Sequence, residues 1–171
     1  MQIPLTTEYA AFYQPYISKI KEGEDLLERL NTVHQETQEL LGRVVEEKEE
    51  YRYATGKWSI RELVQHLMDA ERVMAYRALR IARNDKTDMP GFDEDDYVAA
   101  CDSSKITLKQ LLEEYKMLRQ STLLLFKGFD PNCYQKTGTA NGSVVSVRAL
   151  AAIIIGHEAH HVKVIRERYL D

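Results

Sequence analysis

Residues 153–165 of this chain are Ile153-Ile154-Ile155-Gly156-His157-Glu158-Ala159-His160-His161-Val162-Lys163-Val164-Ile165. Three of the five histidines of the chain fall within five positions of this otherwise apolar stretch. In a helix, His157 and His161 are four residues apart, so both imidazoles project from one face and can bind one metal ion. The stretch therefore predicts a helix that carries a metal-binding pair.

The face that carries these two histidines is predicted to be buried. Apolar residues and the two histidines alternate at steps of three and four, which is typical of the seam of a helical bundle. The positions are Leu150, Ile154, His157, His161 and Val164. A buried imidazole without a polar partner costs about 1–3 kcal/mol, and one shared metal ion would satisfy both rings. His160 lies toward the flank of this face, and the pattern assigns it no role.

Length and composition predict one globular domain spanning residues 1–171. The chain is 44% hydrophobic and 29% charged, and its formal net charge is −4. A mildly acidic chain without a basic cluster is a poor ligand for phosphate backbones, so we expect no nucleic acid partner. No signal peptide and no membrane-spanning run is evident, which favours a cytoplasmic location and no membrane partner. Cys101 and Cys133 are predicted to be reduced thiols.

The fold class predicted from the apolar periodicity is all-α, a four-helix bundle with short extra N-terminal helices. Thr6 or Thr7 can cap a first short helix that stops near Pro15, and a second short turn runs from Pro15 to Glu22. A capping box of Ser59 and Glu62 opens the second long helix, Thr107 with Gln110 is a plausible cap of the third, and Gly42 is a plausible end of the first. The four long helices are predicted over residues 24–41, 59–84, 108–127 and 147–168.

Three longer connections join these helices. The segment from Val44 to Gly56 is acidic and aromatic, and residues 85–104 are predicted to form a loop. That loop contains the acidic cluster Asp93 to Asp96, which lacks the spacing and the central glycine of a calcium loop and is interpreted as solvated. Residues 129–145 can hold a small hairpin at Asn141-Gly142.

A third histidine lies on the seam of the second long helix. His66 follows Leu63 and precedes Ala70, Val73 and Arg77 at steps of three and four. We therefore expect His66, His157 and His161 to bind one divalent ion and to leave a position open for water, as in catalytic zinc sites. Zinc and nickel are the expected metals, although the ligand set alone does not select between them. The alternative is three separately satisfied core histidines.

The sequence contains two other histidine patterns. His34 has no second histidine at helical spacing and is expected to be exposed or merely hydrogen-bonded. The segment His157 to His161 also fits H-E-x-x-H, the helix of zinc metalloproteases, in which Glu158 would be the general base. The extended protease families place a glycine where this chain has Val164, and no edge strand for a peptide substrate is evident, so a protease is disfavoured.

Four segments of the chain form a combined pattern: Gly56-Lys57-Trp58-Ser59-Ile60-Arg61-Glu62-Leu63-Val64-Gln65-His66-Leu67-Met68-Asp69-Ala70-Glu71, Tyr76-Arg77, Pro90-Gly91-Phe92-Asp93 and Ile155-Gly156-His157-Glu158-Ala159-His160-His161. Together they resemble the DinB/YfiT-like superfamily of metal-dependent enzymes. The resemblance covers most of the chain. It implies a four-helix bundle, the metal ligands His66, His157 and His161, and a homodimer.

The resemblance also implies an activity on a small molecule, either as a metal-dependent hydrolase or as a transferase of a low-molecular-weight thiol such as bacillithiol. In both, the metal lowers the pKa of the bound nucleophile. The alternative is a non-catalytic metal or small-ligand binding protein. Asp69 and Glu158 are candidate catalytic residues that could orient a ligand or accept a proton, or could form salt bridges. Arg77 and Trp58 are candidate substrate-binding residues, with a buried ion pair and a packing contact as the respective alternatives.

Overall fold

Four long helices form a bundle, as predicted. The computed structural model describes residues 1–170, so that Asp171, the last residue of the predicted domain, lies outside the described part. The described elements are α1 (Gln14–Ile17), α2 (Leu26–Leu41), α3 (Ile60–Ala82), α4 (Glu94–Ala100), α5 (Leu108–Lys127), β1 (Thr137–Ala140), β2 (Ser143–Ser146) and α6 (Val147–Ile165). The bundle consists of α2, α3, α5 and α6, with α1 and α4 as short additions.

The helix ends follow the capping chemistry of the sequence. Both predicted capping boxes are present: Ser59 with Glu62 at α3, and Thr107 with Gln110 at α5. Each satisfies two amide groups that the first turn of a helix leaves without partners. The helix predicted to start at residue 24 starts at Leu26, because the carboxylate of Asp25 accepts hydrogen bonds from the amides of residues 27 and 28.

The order of the helices around the bundle was not predicted. The helix α3 packs against α5 and α6, and α2 packs against the same two helices. Helices that follow one another in sequence, α2 with α3 and α5 with α6, are therefore diagonal to each other. Long connections at residues 42–59 and 128–146 serve this arrangement, because each must cross an end of the bundle rather than join neighbours.

Three predicted segments differ from the structure. The N-terminal segment is not a helix from residue 6 to Pro15 but two 3-10 turns, Thr6–Glu8 and Ala11–Tyr13, followed by the four-residue α1, in which Pro15 is accommodated in the first turn. At the other end of the chain, α6 ends at Ile165 instead of residue 168, and a π-helical turn, Arg166–Leu170, follows it.

The predicted loop over residues 85–104 contains the short helix α4. The carboxylate of Asp93 accepts hydrogen bonds from the amides of Asp95 and Asp96, so this acidic cluster is the capped start of a helix. The interpretation of the whole segment as loop was wrong because acidic side chains that look like solvated loop also stabilise a helix N-terminus.

The predicted hairpin is present. Strands β1 and β2 pair antiparallel around Asn141 and Gly142, whose φ angles are 50° and 69°. Positive φ at both turn positions gives a turn that matches the twist of the strands, which Asn-Gly adopts readily. The hairpin leads directly into α6, where the side chain of Ser146 accepts a hydrogen bond from the amide of Ala149.

A layer of charged residues divides the interior. Two apolar clusters fill the bundle, one around the hairpin and the first half of α6, the other around the first halves of α3 and α5. On each of α3, α5 and α6, one charged residue lies between the part that joins one cluster and the part that joins the other. These residues are Glu71, Arg119 and Glu158, and each is at most 2% exposed.

Cys101 and Cys133 are both free thiols, as predicted. None of the helices described over residues 1–170 has the length and apolar character needed to span a bilayer.

Candidate metal centre

The three predicted ligand histidines lie together. His66, near the start of α3, faces His157 and His161, near the end of α6, because these two helices pack in antiparallel directions. The Nε2 atom of His157 is 2.9 Å from that of His66 and 3.2 Å from that of His161. One nitrogen from each ring lies within 4.8 Å of the other two. The four-residue spacing on α6 and the seam position on α3 thus produce one cluster.

The separations fit coordination of one metal ion. With metal–nitrogen bonds of about 2.05 Å, neighbouring ligand atoms are about 3.3 Å apart in a tetrahedral site and about 2.9 Å apart in an octahedral one. The distances from Nε2 of His157 to Nε2 of His66 and of His161, 2.9 and 3.2 Å, agree with these values. Three imidazoles, with no fourth protein ligand among residues 1–170, would leave a coordination position open, which is the arrangement of catalytic rather than structural sites.

Burial keeps the three imidazoles neutral. Burial lowers the pKa of His66 to about 4 and that of His161 to about 3, with nearby histidines adding to the shift of His161. The pKa of His157 is also well below its usual value, mainly through burial. A neutral imidazole has the free lone pair that a metal needs, so near neutral pH the cluster is in the protonation state that binds a cation.

Trp58 lies against the cluster. Its ring centroid is 4.6 Å from that of His66, and its backbone oxygen accepts a hydrogen bond of 2.7 Å from the hydroxyl of Tyr169. Trp58 is half-buried and precedes the cap of α3. The Trp58 ring thus packs against the ring of His66, and substrate binding by Trp58 stays a prediction.

The charged layer lies next to the histidine cluster, because Glu158 directly follows His157 in the sequence. Arg119 donates two hydrogen bonds to Glu71, of 3.0 and 2.6 Å, and one of 2.7 Å to Glu158. A further bond of 2.6 Å runs to the backbone oxygen of Leu30. One guanidinium therefore joins all four helices of the bundle, and two carboxylates around one cation give the layer a net charge of about −1.

Glu158 is consequently not a free carboxylate. Burial by itself would raise its pKa, but the adjacent Arg119 outweighs burial and holds the pKa at about 2. Its other oxygen lies 3.5 Å from Nδ1 of His34. Such a carboxylate is a weak base, and the salt-bridge alternative weighed for Glu158 is the contact that the structure has.

His34 belongs to this layer and is 6% exposed, so the exposed alternative was wrong. The side-chain amide of Gln38 donates to the oxygen of Leu112 at 2.9 Å and lies 3.2 Å from Nε2 of His34. Since an amide nitrogen only donates, Nε2 accepts and the proton of a neutral His34 is on Nδ1, facing Glu158.

A cavity of about 310 Å³ adjoins the histidines. Its wall contains His66 and His157, the layer residues Glu71 and Glu158, and Arg77. The N-terminal segment closes one side with Phe12, Tyr13 and Tyr16. The volume is at the lower end of the range for small-molecule sites, and the wall combines apolar residues with a few polar groups, as such sites do.

Close packing at Gly156 holds the N-terminal segment in place. A Cβ atom on Gly156 would lie 2.2 Å from the backbone oxygen of Tyr16, so only glycine permits this approach of α1 to α6. The ring of Tyr16 in turn contacts those of His157 and His160, with centroids 5.6 Å away in both cases. His160 is thus directed to the N-terminal segment, outside the cluster.

Two further predicted site residues have different surroundings. Asp69 is on the flank of α3, where its carboxylate accepts hydrogen bonds from Gln65 at 3.0 Å and Arg72 at 3.3 Å, and it is not in the cavity wall. Arg77 is 4% exposed and does line the cavity. The structure therefore brings Arg77 and Glu158 to the cavity that His66 and His157 line, and leaves Asp69 outside it.

Sequence reasoning missed Arg119 and Glu71. Both occupy apolar stripes: Arg119 is four residues after Tyr115 and three before Thr122, and Glu71 is four after Leu67 and three before Met74. A charged residue at such a position is rarely buried without a partner, so the stripes held a signal for an ion pair.

Comparison with known proteins agrees with this geometry. A sequence profile of the DinB superfamily matches residues 29–165. The chain belongs to the DinB superfamily. This match spans all four bundle helices except the first turn of α2, and includes the three histidines.

Among solved structures, the chain is similar to YfiT from Bacillus subtilis, described as a probable metal-dependent hydrolase with an unusual four-helix bundle topology. The TM-score is 0.72 at 16% identity, over 86% of this chain and 89% of that one. At this identity the likeness establishes the shared fold. A comparison with curated proteins found no match.

Proposed function

We propose that this DinB superfamily member is a metal-dependent hydrolase that acts on a small molecule. The observation that carries the proposal is the convergence of three neutral imidazole nitrogens beside a cavity of about 310 Å³. His66, His157 and His161 would hold the ion, zinc or nickel, and the open position would face a space of substrate size. The description of YfiT as a probable metal-dependent hydrolase supports the same chemistry.

A divalent ion at this place would lower the pKa of a bound water and supply a nucleophile at neutral pH. The residues of the chain prepare that step. Burial keeps the imidazoles unprotonated, Trp58 restricts the ring of His66, and the net negative charge of the layer around Arg119 stabilises a nearby cation. We assign Glu158 to this positioning and electrostatic role, because its carboxylate is already paired.

A low-molecular-weight thiol in place of water is the second candidate. A thiolate is a good ligand for zinc or nickel, and the cavity beside the histidines is larger than a single water requires. The bundle and the ligands would be the same, and the product would carry the thiol rather than a hydroxyl group.

Metal binding is tested with protein purified without a histidine tag. Elemental analysis after incubation with Zn²⁺ or Ni²⁺ should give about one ion per chain for the wild type and for His160→Ala, and much less for His161→Ala. His160 is the matched control because it is adjacent, half-buried and outside the cluster. Equal loss in both variants, or no ion in the wild type, would remove the basis of the proposal.

Catalysis is tested with the same three proteins. Ester and amide hydrolysis, and conjugation of bacillithiol to an electrophile, are assayed with and without metal. Turnover that needs the metal and is lost in His161→Ala but kept in His160→Ala supports an enzyme, and the product identifies the nucleophile. Stoichiometric metal without any turnover that separates the two variants supports a non-catalytic binding protein instead.

A further inference from the structure

Arg77 is a buried cation without a carboxylate partner. It is 4% exposed, and no Asp or Glu within the described residues 1–170 forms an ion pair with it. One Nη atom donates to the backbone oxygen of Pro90 at 2.6 Å, and the other lies 3.7 Å from the sulfur of Met74. These contacts are to neutral groups, so no carboxylate of the described residues balances the guanidinium charge at ion-pair distance.

Two other buried arginines of this chain have carboxylate partners. Arg119 is equally buried, and the protein supplies it with two carboxylates. Arg148, which is 7% exposed, pairs with Glu8. Arg77 is the exception among these buried arginines, and unlike Arg119 it lines the cavity next to the histidines.

Arg77 and the histidines lie at two ends of one face of α3. Eleven residues separate His66 from Arg77, which is about three turns, so both project from the same side of the helix about 16 Å apart along its axis. The cavity follows this face, since its wall includes His66, Leu67, Ala70, Glu71, Met74 and Arg77.

The end of the cavity at Arg77 is built by the loop after α3 and by the hairpin. Phe92 lies 6.0 Å from the guanidinium carbon, measured to the ring centroid. The amide of Asn141 donates to the oxygen of Met89 at 2.8 Å, which fixes the loop against the hairpin turn. Arg77 therefore lies where the loop after α3 is hydrogen-bonded to the hairpin.

We propose that Arg77 binds an anionic group of the substrate, a carboxylate or a phosphoryl oxyanion, while the reacting atom lies at the histidine cluster. The substrate class is then a small molecule with an anionic end and an apolar middle. Only the placement of the reacting atom at the histidine cluster rests on the proposed function, and the binding of an anion by Arg77 does not. Guanidinium and oxyanion match in charge and in bidentate geometry, and the low exposure of Arg77 strengthens the contact.

Three carboxylates also line the cavity. Those of Glu71 and Glu158 are paired with Arg119. That of Glu94, at the start of α4, belongs to an exposed residue, so water and salt screen its repulsion of an anion more than they screen the attraction of buried Arg77.

Binding to metal-free protein tests the inference without catalysis. The probes are 3-phenylpropanoate, 2-phenylethylphosphonate and the neutral 3-phenylpropanamide, followed by ligand-observed NMR titration. The metal is left out because it would itself bind a carboxylate. Metal-free wild type should bind at least one anion about tenfold or more tightly than the amide, and Arg77→Gln should lose this preference while binding the amide as before.

Two variants guard against a purely structural effect. Arg80→Gln removes an arginine three residues away that pairs with Asp85 on the surface, and should keep the anion preference. Arg77→Lys keeps the charge and should keep part of it, even if Arg77→Gln does not fold. The affinities of 3-phenylpropanoate and 2-phenylethylphosphonate show whether Arg77 prefers a carboxylate or a phosphoryl oxyanion.

The inference is overturned if metal-free wild type binds the amide and both anions equally, or if the preference persists in Arg77→Gln. Equal weakening of all three probes by Arg77→Gln also overturns it, and would mean that Arg77 only anchors Pro90. Absence of metal-dependent turnover would count against the proposed function but not against an anion preference measured in this way.

Discussion

Nη2 of Arg119 lies 2.7 Å from a carboxylate oxygen of Glu158, the residue that follows the candidate ligand His157. The same guanidinium holds both oxygens of Glu71 on α3, the helix that carries His66. One buried side chain of α5 thus fixes the relative position of the two helices that supply the histidines. The helices α3 and α6 are distant in sequence, and their common contact with Arg119 helps to hold their imidazoles together.

We expect removal of Arg119 to be more destabilising than removal of Glu158. Arg119→Met leaves two buried carboxylates without a cation and should lower the free energy of unfolding by about 3–5 kcal/mol. Glu158→Gln leaves a balanced pair of Arg119 and Glu71 and should cost less, about 1–3 kcal/mol. Urea unfolding of both variants checks the order, and a smaller loss for Arg119→Met would contradict the assigned charges.

We expect the carboxylate of Glu8 to stabilise the fold at neutral pH and to lose this contribution in acid. Burial would raise its pKa, but hydrogen bonds from Arg148 and Ser146 outweigh burial and keep the pKa below its usual value of 4.5. Its contribution is therefore complete above about pH 4.5 and is lost as the pH falls through the lower folded pKa.

The measurement is the unfolding free energy of wild type and Glu8→Gln at pH 7 and at pH 3.5. The variant should be less stable by about 1–3 kcal/mol at pH 7, with a smaller difference at the acid pH. Taking the difference between the two proteins cancels the titration of all other groups. A gap that widens on acidification would show that Glu8 is not stabilised as a carboxylate.

Gly156→Ala should displace the N-terminal segment. The added methyl group would meet the backbone of Tyr16, which cannot move aside as a side chain could, and overpacking of this kind costs about 1–3 kcal/mol. Hydrogen exchange should increase in residues 6–17 while the metal content stays unchanged. Ala151→Gly changes the composition of the same helix and is the control. Hydrogen-exchange protection of residues 6–17 in Gly156→Ala that matches wild type would refute the contact between Gly156 and Tyr16.

The only tryptophan of the chain should report metal binding. Trp58 is in contact with His66, with ring centroids 4.6 Å apart, so a paramagnetic ion such as Ni²⁺ at the cluster should quench its fluorescence. The titration should saturate at about one ion per chain in wild type and in His160→Ala. Quenching of the same amplitude in His161→Ala would place the ion elsewhere.

Much of the fold follows from local sequence. The capping boxes at Ser59 and Thr107, the stop at Gly42 and the turn at Asn141-Gly142 are hydrogen-bonding solutions that involve only neighbouring residues. For that reason they were predicted correctly. The loop prediction for residues 93–96 failed where two local structures, an acidic loop and a capped helix start, share one composition.

The candidate ligands could also be predicted from sequence, because helical periodicity places His157 and His161 on one face and His66 on the seam of another helix. Periodicity shows that a side chain is directed inward, but not which residue it meets. Three features required the tertiary structure: the pairing of Arg119 with Glu71 and Glu158, the absence of a carboxylate partner for Arg77 among the described residues, and the cavity that Arg77 and His66 both line. A long buried side chain takes its partner from a helix that is distant in sequence, so the diagonal order of the bundle decides it.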